Sequence, residues 1–123
     1  MGMSNKTLGT YFEKRVCAAL ARRGYWVHFL APDARGAQPF DIIAVKNGTA
    51  TAIECKTLVS GERWFPASRL EENQRLAFAK WKQCWNGNPC IVVYRGLKGA
   101  VWFPYDEGAE RYDLDAATTF DME

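Results

Sequence analysis

Hydrophobic positions along the chain change period several times, and each change marks an element. Between residues 5 and 24, Leu8, Phe12, Val16, Ala19 and Leu20 recur at three- and four-residue steps, the signature of an amphipathic helix. Gly24 stands where a glycine ends a helix. "YWVHFL" (25–30) is rich in β-formers and predicts a first strand, and "APDARGAQP" (31–39) predicts a loop. "FDIIAV" (40–45) and "TATAIECKT" (49–57) flank Asn47-Gly48, a strong short hairpin signal, and predict two antiparallel strands. "LVSGERWFPAS" (58–68) reads as a loop. A second helix is expected over about 69–85, with Leu70, Leu76, Ala77, Phe78, Trp81 and Trp85, and "NGNP" ends it. "CIVVYR" (90–95) and "AVWFPY" (100–105), joined by "GLKG", are the last two strands.

The order α-β-β-β-α-β-β predicts an α/β protein with a five-stranded mixed sheet flanked by helices. The helix between the third and fourth strands allows a crossover, so the fourth strand can pair parallel to an inner strand. A length of 123 residues points to a single domain spanning 1–123. Its last segment, 106–123, is expected to be an acidic tail that is partly frayed or holds a short helix.

"AIECKT" breaks the apolar pattern of its own strand. Residues two apart share a face, so Glu54 and Lys56 look one way while Ile53, Cys55 and Thr57 look the other. A symmetric Asn-Gly hairpin pairs residues whose numbers sum to about 95. That register sets Asp41 opposite Glu54. Directly opposed carboxylates are destabilising unless something compensates. A hard divalent cation, which wants carboxylate oxygens and keeps several waters, would do so. Lys56, one pleat step away, could orient an attacking water or stabilise charge on a phosphorane-like transition state. Two neighbouring carboxylates favour its charged form, so it does not suit a general-base role. A water acidified by the metal is the better nucleophile. The plain alternative for Glu54 and Lys56 alone is a surface ion pair, and Asp41 across the hairpin tips the balance away from it.

Charge adds to this picture. Residues 106–123 hold seven acids and one base, a net −6, which leaves +8 on the rest of the chain. A basic body with one acidic spot suits a nucleic-acid enzyme. Candidate contacts to a phosphate backbone are Lys6, Lys14, Arg15, Arg35, Arg63 and Arg69, with Arg35 and Arg63 in the loops flanking the site. Cys17, Cys55, Cys84 and Cys90 form no CxxC pair, and the single His28 does little for a zinc site. They read as structural thiols. No apolar run reaches the length of a membrane span and no secretory-signal pattern opens the chain, so a cytoplasmic protein is expected.

"PFD" at 39–41 with "ECK" at 54–56 resembles the PD-(D/E)XK nuclease motif, with Phe40 inserted between Pro39 and Asp41. Three further stretches resemble Holliday junction resolvases. "GTYFEKRVCAALARRGYWV" resembles the first helix of the archaeal enzymes, which implies that Glu13 completes the metal site. "RWFPASRLEENQ" resembles the "FP…S…Q" segment of bacterial RecU-type resolvases, which implies that Gln74 opens the second helix toward the site. "NGNPCIVVYRGLKGAVWF" resembles the closing strand pair of the archaeal enzymes. The resemblance covers roughly 7–105, and the acidic tail has no counterpart in it. It implies a restriction-endonuclease-like core and a structure-selective endonuclease. Such an enzyme uses Mg²⁺, for which Mn²⁺ can substitute, needs no small-molecule cofactor, and resolves four-way DNA junctions as a homodimer by paired nicks. Asp41, Glu54 and Glu13 would hold the metal, with Lys56 and Gln74 completing the catalytic set. Two alternatives stay open: another nuclease of the same fold, acting in repair, on flaps or single strands or in restriction, and a nucleic-acid-binding protein that does not cut.

Overall fold

The computed structural model describes residues 4–30, 38–85 and 87–123. Helix α1 (Asn5–Arg22) starts at Ser4, whose Oγ accepts from the Thr7 N–H at 3.1 Å. It ends before Gly24, which takes a φ of 89° that a side chain would resist. The chain continues through β1 (Trp26–Phe29), β2 (Ile42–Lys46) and β3 (Thr49–Thr57). Asn47 and Gly48 both have positive φ (52° and 77°), the requirement of a two-residue type I′ turn between β2 and β3. Then come β4 (Trp64–Pro66), a 3₁₀ turn (Ala67–Arg69), α2 (Glu72–Trp85), β5 (Cys90–Tyr94), β6 (Ala100–Pro104), β7 (Arg111–Asp113) and β8 (Thr118–Phe120).

The main sheet has six strands, ordered β1-β2-β3-β5-β6-β8. β5 runs parallel to β3 after the α2 crossover, and the other pairings are antiparallel. One more strand than expected is present because the tail supplies β8, whose Phe120 faces Ala100 of β6. The tail is not frayed, and it holds strands where a short helix was an option. Its other strand, β7, pairs with β4 in a separate two-stranded sheet, so part of the expected 58–68 loop is also a strand. The second helix begins at Glu72 rather than near 69, because the 3₁₀ turn takes the intervening residues.

Each face of the sheet buries its own core. Ile42, Ala44, Ile53, Cys55 and Val92 meet Phe12, Val16 and Leu20 of α1. Ala52, Ile91, Val93, Val101 and Phe103 meet Phe78 of α2 and the aromatic residues Phe65 and Tyr112 of the small sheet. Burial of such side chains contributes roughly 1.5–3 kcal/mol each, so these two layers fix the central strands. All four cysteines are free thiols, with Cys55 buried and Cys84 exposed. Among the described residues no helix is long and apolar enough to cross a membrane.

Candidate active site

The β2–β3 register follows the turn. Ile42 faces Ile53 and Ala44 faces Thr51, and the ladder ends there. Asp41, just before β2, donates its N–H to the Ile53 carbonyl at 3.1 Å, which sets it beside Glu54. Both carboxylates are buried, at 3% exposure each. Glu54 lies on the α2 side of the sheet, because it sits two residues from Ala52, a member of the α2-side core.

Local hydrogen bonds fix each group. The Cys55 N–H donates to Asp41 Oδ2 at 2.8 Å, and Gln38 Nε2 donates to Asp41 Oδ1 at 3.2 Å. Gln74, in the first turn of α2, donates from Nε2 to Glu54 Oε2, while its Oε1 accepts from the Glu71 N–H at 3.0 Å. Lys56 Nζ stands 3.4 Å from Glu54 Oε2. Glu54 Oε1 is buried and has no partner among the described residues. A carboxylate oxygen left in that state costs roughly 1–3 kcal/mol or more.

The electrostatics record the same strain. Glu54 is pushed up from 4.5 to about 9, first by burial and then by the Asp41 charge, against the lowering effect of Lys56. Glu13, half-buried on α1, is pushed up to about 7 by burial, by the Asp41 charge and by a hydrogen bond to Asp41. Asp41 is thus the common neighbour of both glutamates. The Cys55 thiol is held well above its ordinary value by burial and by the Asp41, Glu54 and Glu13 charges, so it supplies no nucleophilic thiolate.

Among the described residues, Lys56 is the cation that pairs with these three acids, through Glu54. Their oxygen-only donor set fits a hard cation such as Mg²⁺, which needs only one or two carboxylates and retains waters. As they stand, no three His, Cys, Asp or Glu side chains among the described residues are spaced to hold an ion together. The fit therefore rests on Asp41 and the unpartnered oxygen of Glu54, with Glu13 behind Asp41.

Of the expected nucleic-acid contacts, Arg69 lies nearest the site. Its Nη2 donates to the Thr57 carbonyl at 3.1 Å, one residue past Lys56, and its guanidinium stacks 5.6 Å from the Phe65 ring. Lys6 and Lys14 are exposed on α1. Arg15 pairs with Glu123 at 3.6 Å. Arg63 forms a two-pronged pair with Asp113, at 3.0 and 2.8 Å, and stacks on Trp64. Its charge is already met within the small sheet, through the tail strand that sequence reasoning did not foresee. Arg35 lies outside the described residues. Two positioning residues were missed altogether. Gln38 holds Asp41, and Asn73 Nδ2 holds the Gln38 carbonyl at 3.0 Å across 35 residues of chain. Nothing in a single sequence announces that contact. A cavity of about 400 Å³, lined by Ala44, Ile53, Val92 and Trp102 among others, opens on the opposite sheet face and contains none of the site residues.

No protein-family model and no curated protein matches this sequence. Among solved structures, it is similar to that of Archaeoglobus fulgidus Hjc, a Holliday junction resolvase from an archaeal hyperthermophile, with a TM-score of 0.66. The similarity covers 89% of this chain and 92% of the archaeal one at 17% sequence identity. The chain therefore has the restriction-endonuclease-like fold of the PD-(D/E)XK nucleases, with six strands in its main sheet.

Proposed function

We propose that the protein is a metal-dependent endonuclease that hydrolyses phosphodiesters in branched DNA, most specifically four-way junctions. The observation that carries this reading is the buried Asp41–Glu54 pair, under-compensated by Lys56 and bearing one unpartnered oxygen. Likeness of fold to an archaeal resolvase supports the substrate class.

Asp41 and Glu54 would hold the metal, with Glu13 assisting from α1. Bound there, Mg²⁺ or Mn²⁺ supplies Lewis-acid stabilisation of phosphoryl charge and lowers the pKa of water. The chain's own groups do the positioning. The Cys55 N–H and Gln38 orient Asp41, leaving its carboxylate fixed before any ligand arrives. Gln74 turns Glu54 by one oxygen and leaves the other free. The Lys56 ammonium, beside that carboxylate, stabilises negative charge on the phosphate in the transition state. Arg69, Lys6 and Lys14 supply backbone contacts that carry affinity without sequence information. A homodimer would present two such sites to two strands of a junction.

Purified protein with Mg²⁺ or Mn²⁺ should nick a four-way junction in preference to a linear duplex of the same sequence. Equal cutting of both would remove the junction assignment and leave another nuclease of this fold. A second reading, a nucleic-acid-binding protein that does not cut, is favoured by one fact: no three acid side chains among the described residues are spaced as a ready cage. Absence of Mn²⁺ binding in a calorimetric titration would support it.

A further inference from the structure

The catalytic face of the sheet continues past the carboxylates. His28 pairs with Ile43, and Ile43 with Ala52, so these three side chains form one rung across β1, β2 and β3. The rung beyond it sets Trp26 against Val45 and Val45 against Ala50. Since residues two apart share a face, Trp26 and His28 look out on the same side as Glu54 and Lys56. From Glu54, the rung of His28 is about 7 Å and that of Trp26 about 13 Å along the strands. The two rings lie nearly parallel, 8° apart with centroids 5.9 Å apart. Trp26 is 61% exposed, a large apolar side chain on the exposed edge strand β1.

We propose that Trp26, backed by His28, is a stacking platform for an unstacked or unpaired base of the DNA strand that enters the catalytic site. This rests on the nuclease reading above and adds to it the feature by which branched DNA is told from plain duplex. At about 3.4 Å per nucleotide, the platform lies roughly two to four nucleotides from the phosphate held at Asp41 and Glu54. Aromatic rings in such positions accept any base, because every base offers a π-face. His28, parallel beneath, holds the indole plane in place before DNA arrives. A second copy of the chain fits this surface less well. β1 has four residues, about 13 Å of strand, and at about 10 Å width it offers far less than the ~800 Å² per partner of a stable interface. The platform is also continuous with the candidate catalytic face, where nucleic acid would already be seated.

The test is binding in EDTA, so that nothing is cut, followed by fluorescence anisotropy of labelled DNA. Three probes of the same sequence are compared: a four-way junction, a duplex with a four-nucleotide unpaired gap, and a continuous linear duplex. Trp26→Ala should weaken binding to the first two by roughly 5- to 100-fold, the range set by removing one base–aromatic stack. Binding to the linear duplex should change less than about twofold, and Trp26→Phe should recover most of the loss, since a smaller ring still stacks. The melting temperature of Trp26→Ala should stay near that of the unmodified protein, because the side chain is exposed. An equal loss on all three probes, or no loss on any, overturns the platform while leaving the nuclease reading intact. A change in sedimentation coefficient with unchanged DNA binding overturns it in favour of a contact between copies. Failure of the unmodified protein to bind any of the three removes the nuclease reading and the platform together.

Discussion

Two buried polar assemblies are set about the same sheet, one around Arg95 and one around Asp41, and they differ in how their charges are met. Around Arg95, at the end of β5, opposite charges are brought together through Asp115, although the Arg95 Nε is buried without a partner among the described residues. Its Nη groups reach the Leu114 carbonyl, the Glu62 carbonyl and Asp115 Oδ1 at 3.4, 3.1 and 2.8 Å. Next to it Arg63 and Asp113 satisfy each other, and the Asp113 carboxyl is held below its ordinary value, first by its hydrogen bond to Arg63. Around Asp41 the charges are mismatched. Two glutamates are driven up by burial and by Asp41, and one Glu54 oxygen has no partner among the described residues. The first assembly is a joint that pins the tail to the β4 strand. The second is costly while its acids are ionised, and protonation or a cation relieves it. Opposite charges brought together mark a structural joint, whereas like charges buried together mark a candidate site.

Removing the mismatch should abolish chemistry and spare the fold. Glu54→Ala should reduce junction nicking by roughly 10³-fold, the scale of losing a principal electrostatic element. Its binding to the junction in EDTA should stay within about threefold, as measured by anisotropy. Retained nicking would mean that the frustrated pair is incidental.

The matched network should behave in reverse. Arg95→Met should cost roughly 2–4 kcal/mol, because it strands the buried Leu114 carbonyl, gives up the Glu62 carbonyl and Asp115, and releases the tail from the segment it braces. Urea denaturation measures the loss. A variant as stable as the parent would show that β7 and β4 hold together without that joint.

The pH dependence sharpens the contrast. In the unfolded chain Glu54 titrates near 4.5, whereas in the folded apoprotein it titrates near 9. Between those values the folded state binds the extra proton, so the stability of the apoprotein falls as pH rises from about 4.5 toward 9. Glu54→Gln removes that cost. It should raise the melting temperature in EDTA by roughly 5–10 °C at pH 8 and by little at pH 5. An increase of the same size at both pH values would mean that ionisation of Glu54 is not what destabilises the empty site. Metal affinity should run the other way and strengthen as pH rises, since the ligands must shed protons.

The smallest effects concern the arginines. Arg69→Ala should lower the slope of log affinity against log salt by about one, the loss of a single phosphate contact. Arg63→Ala should leave that slope unchanged, because Asp113 already neutralises it. Both slopes come from anisotropy titrations at several salt concentrations, and equal slopes for the two variants would undo the distinction.

The same contrast explains what the sequence disclosed. The Asn47-Gly48 turn is a strong local signal with one dominant geometry, so it carried the register of β2 and β3 as far as Ile42 and Ile53, whose chain neighbours are Asp41 and Glu54. The parallel placement of β5 beside β3 followed from the length of the crossover. Gln74 lay where the resemblance to resolvases set it, in the first turn of α2 beside Glu54. The tail was misread because its strands, Arg111–Asp113 and Thr118–Phe120, are three residues each, too short to show a period, and acidic residues surround them. Tyr112 and the Thr118-Thr119-Phe120 run were the β-forming signal there. Their partners, Phe65 of β4 and β6, lie far away in sequence, and only tertiary packing makes the pairing favourable. For the same reason Arg63 looked free, since the Asp113 that pairs with it is 50 residues on.

The most direct measurement is a side-by-side nicking assay of the unmodified protein and Asp41→Asn on a four-way junction with Mg²⁺. Asp41 is the common neighbour of both strained glutamates, and asparagine keeps its shape while removing its charge. The account predicts paired nicks on opposing strands by the unmodified protein, none without metal, and none by Asp41→Asn even though that variant is folded and binds the junction. Nicking by Asp41→Asn at the parent rate, or nicking that persists in EDTA, would contradict it.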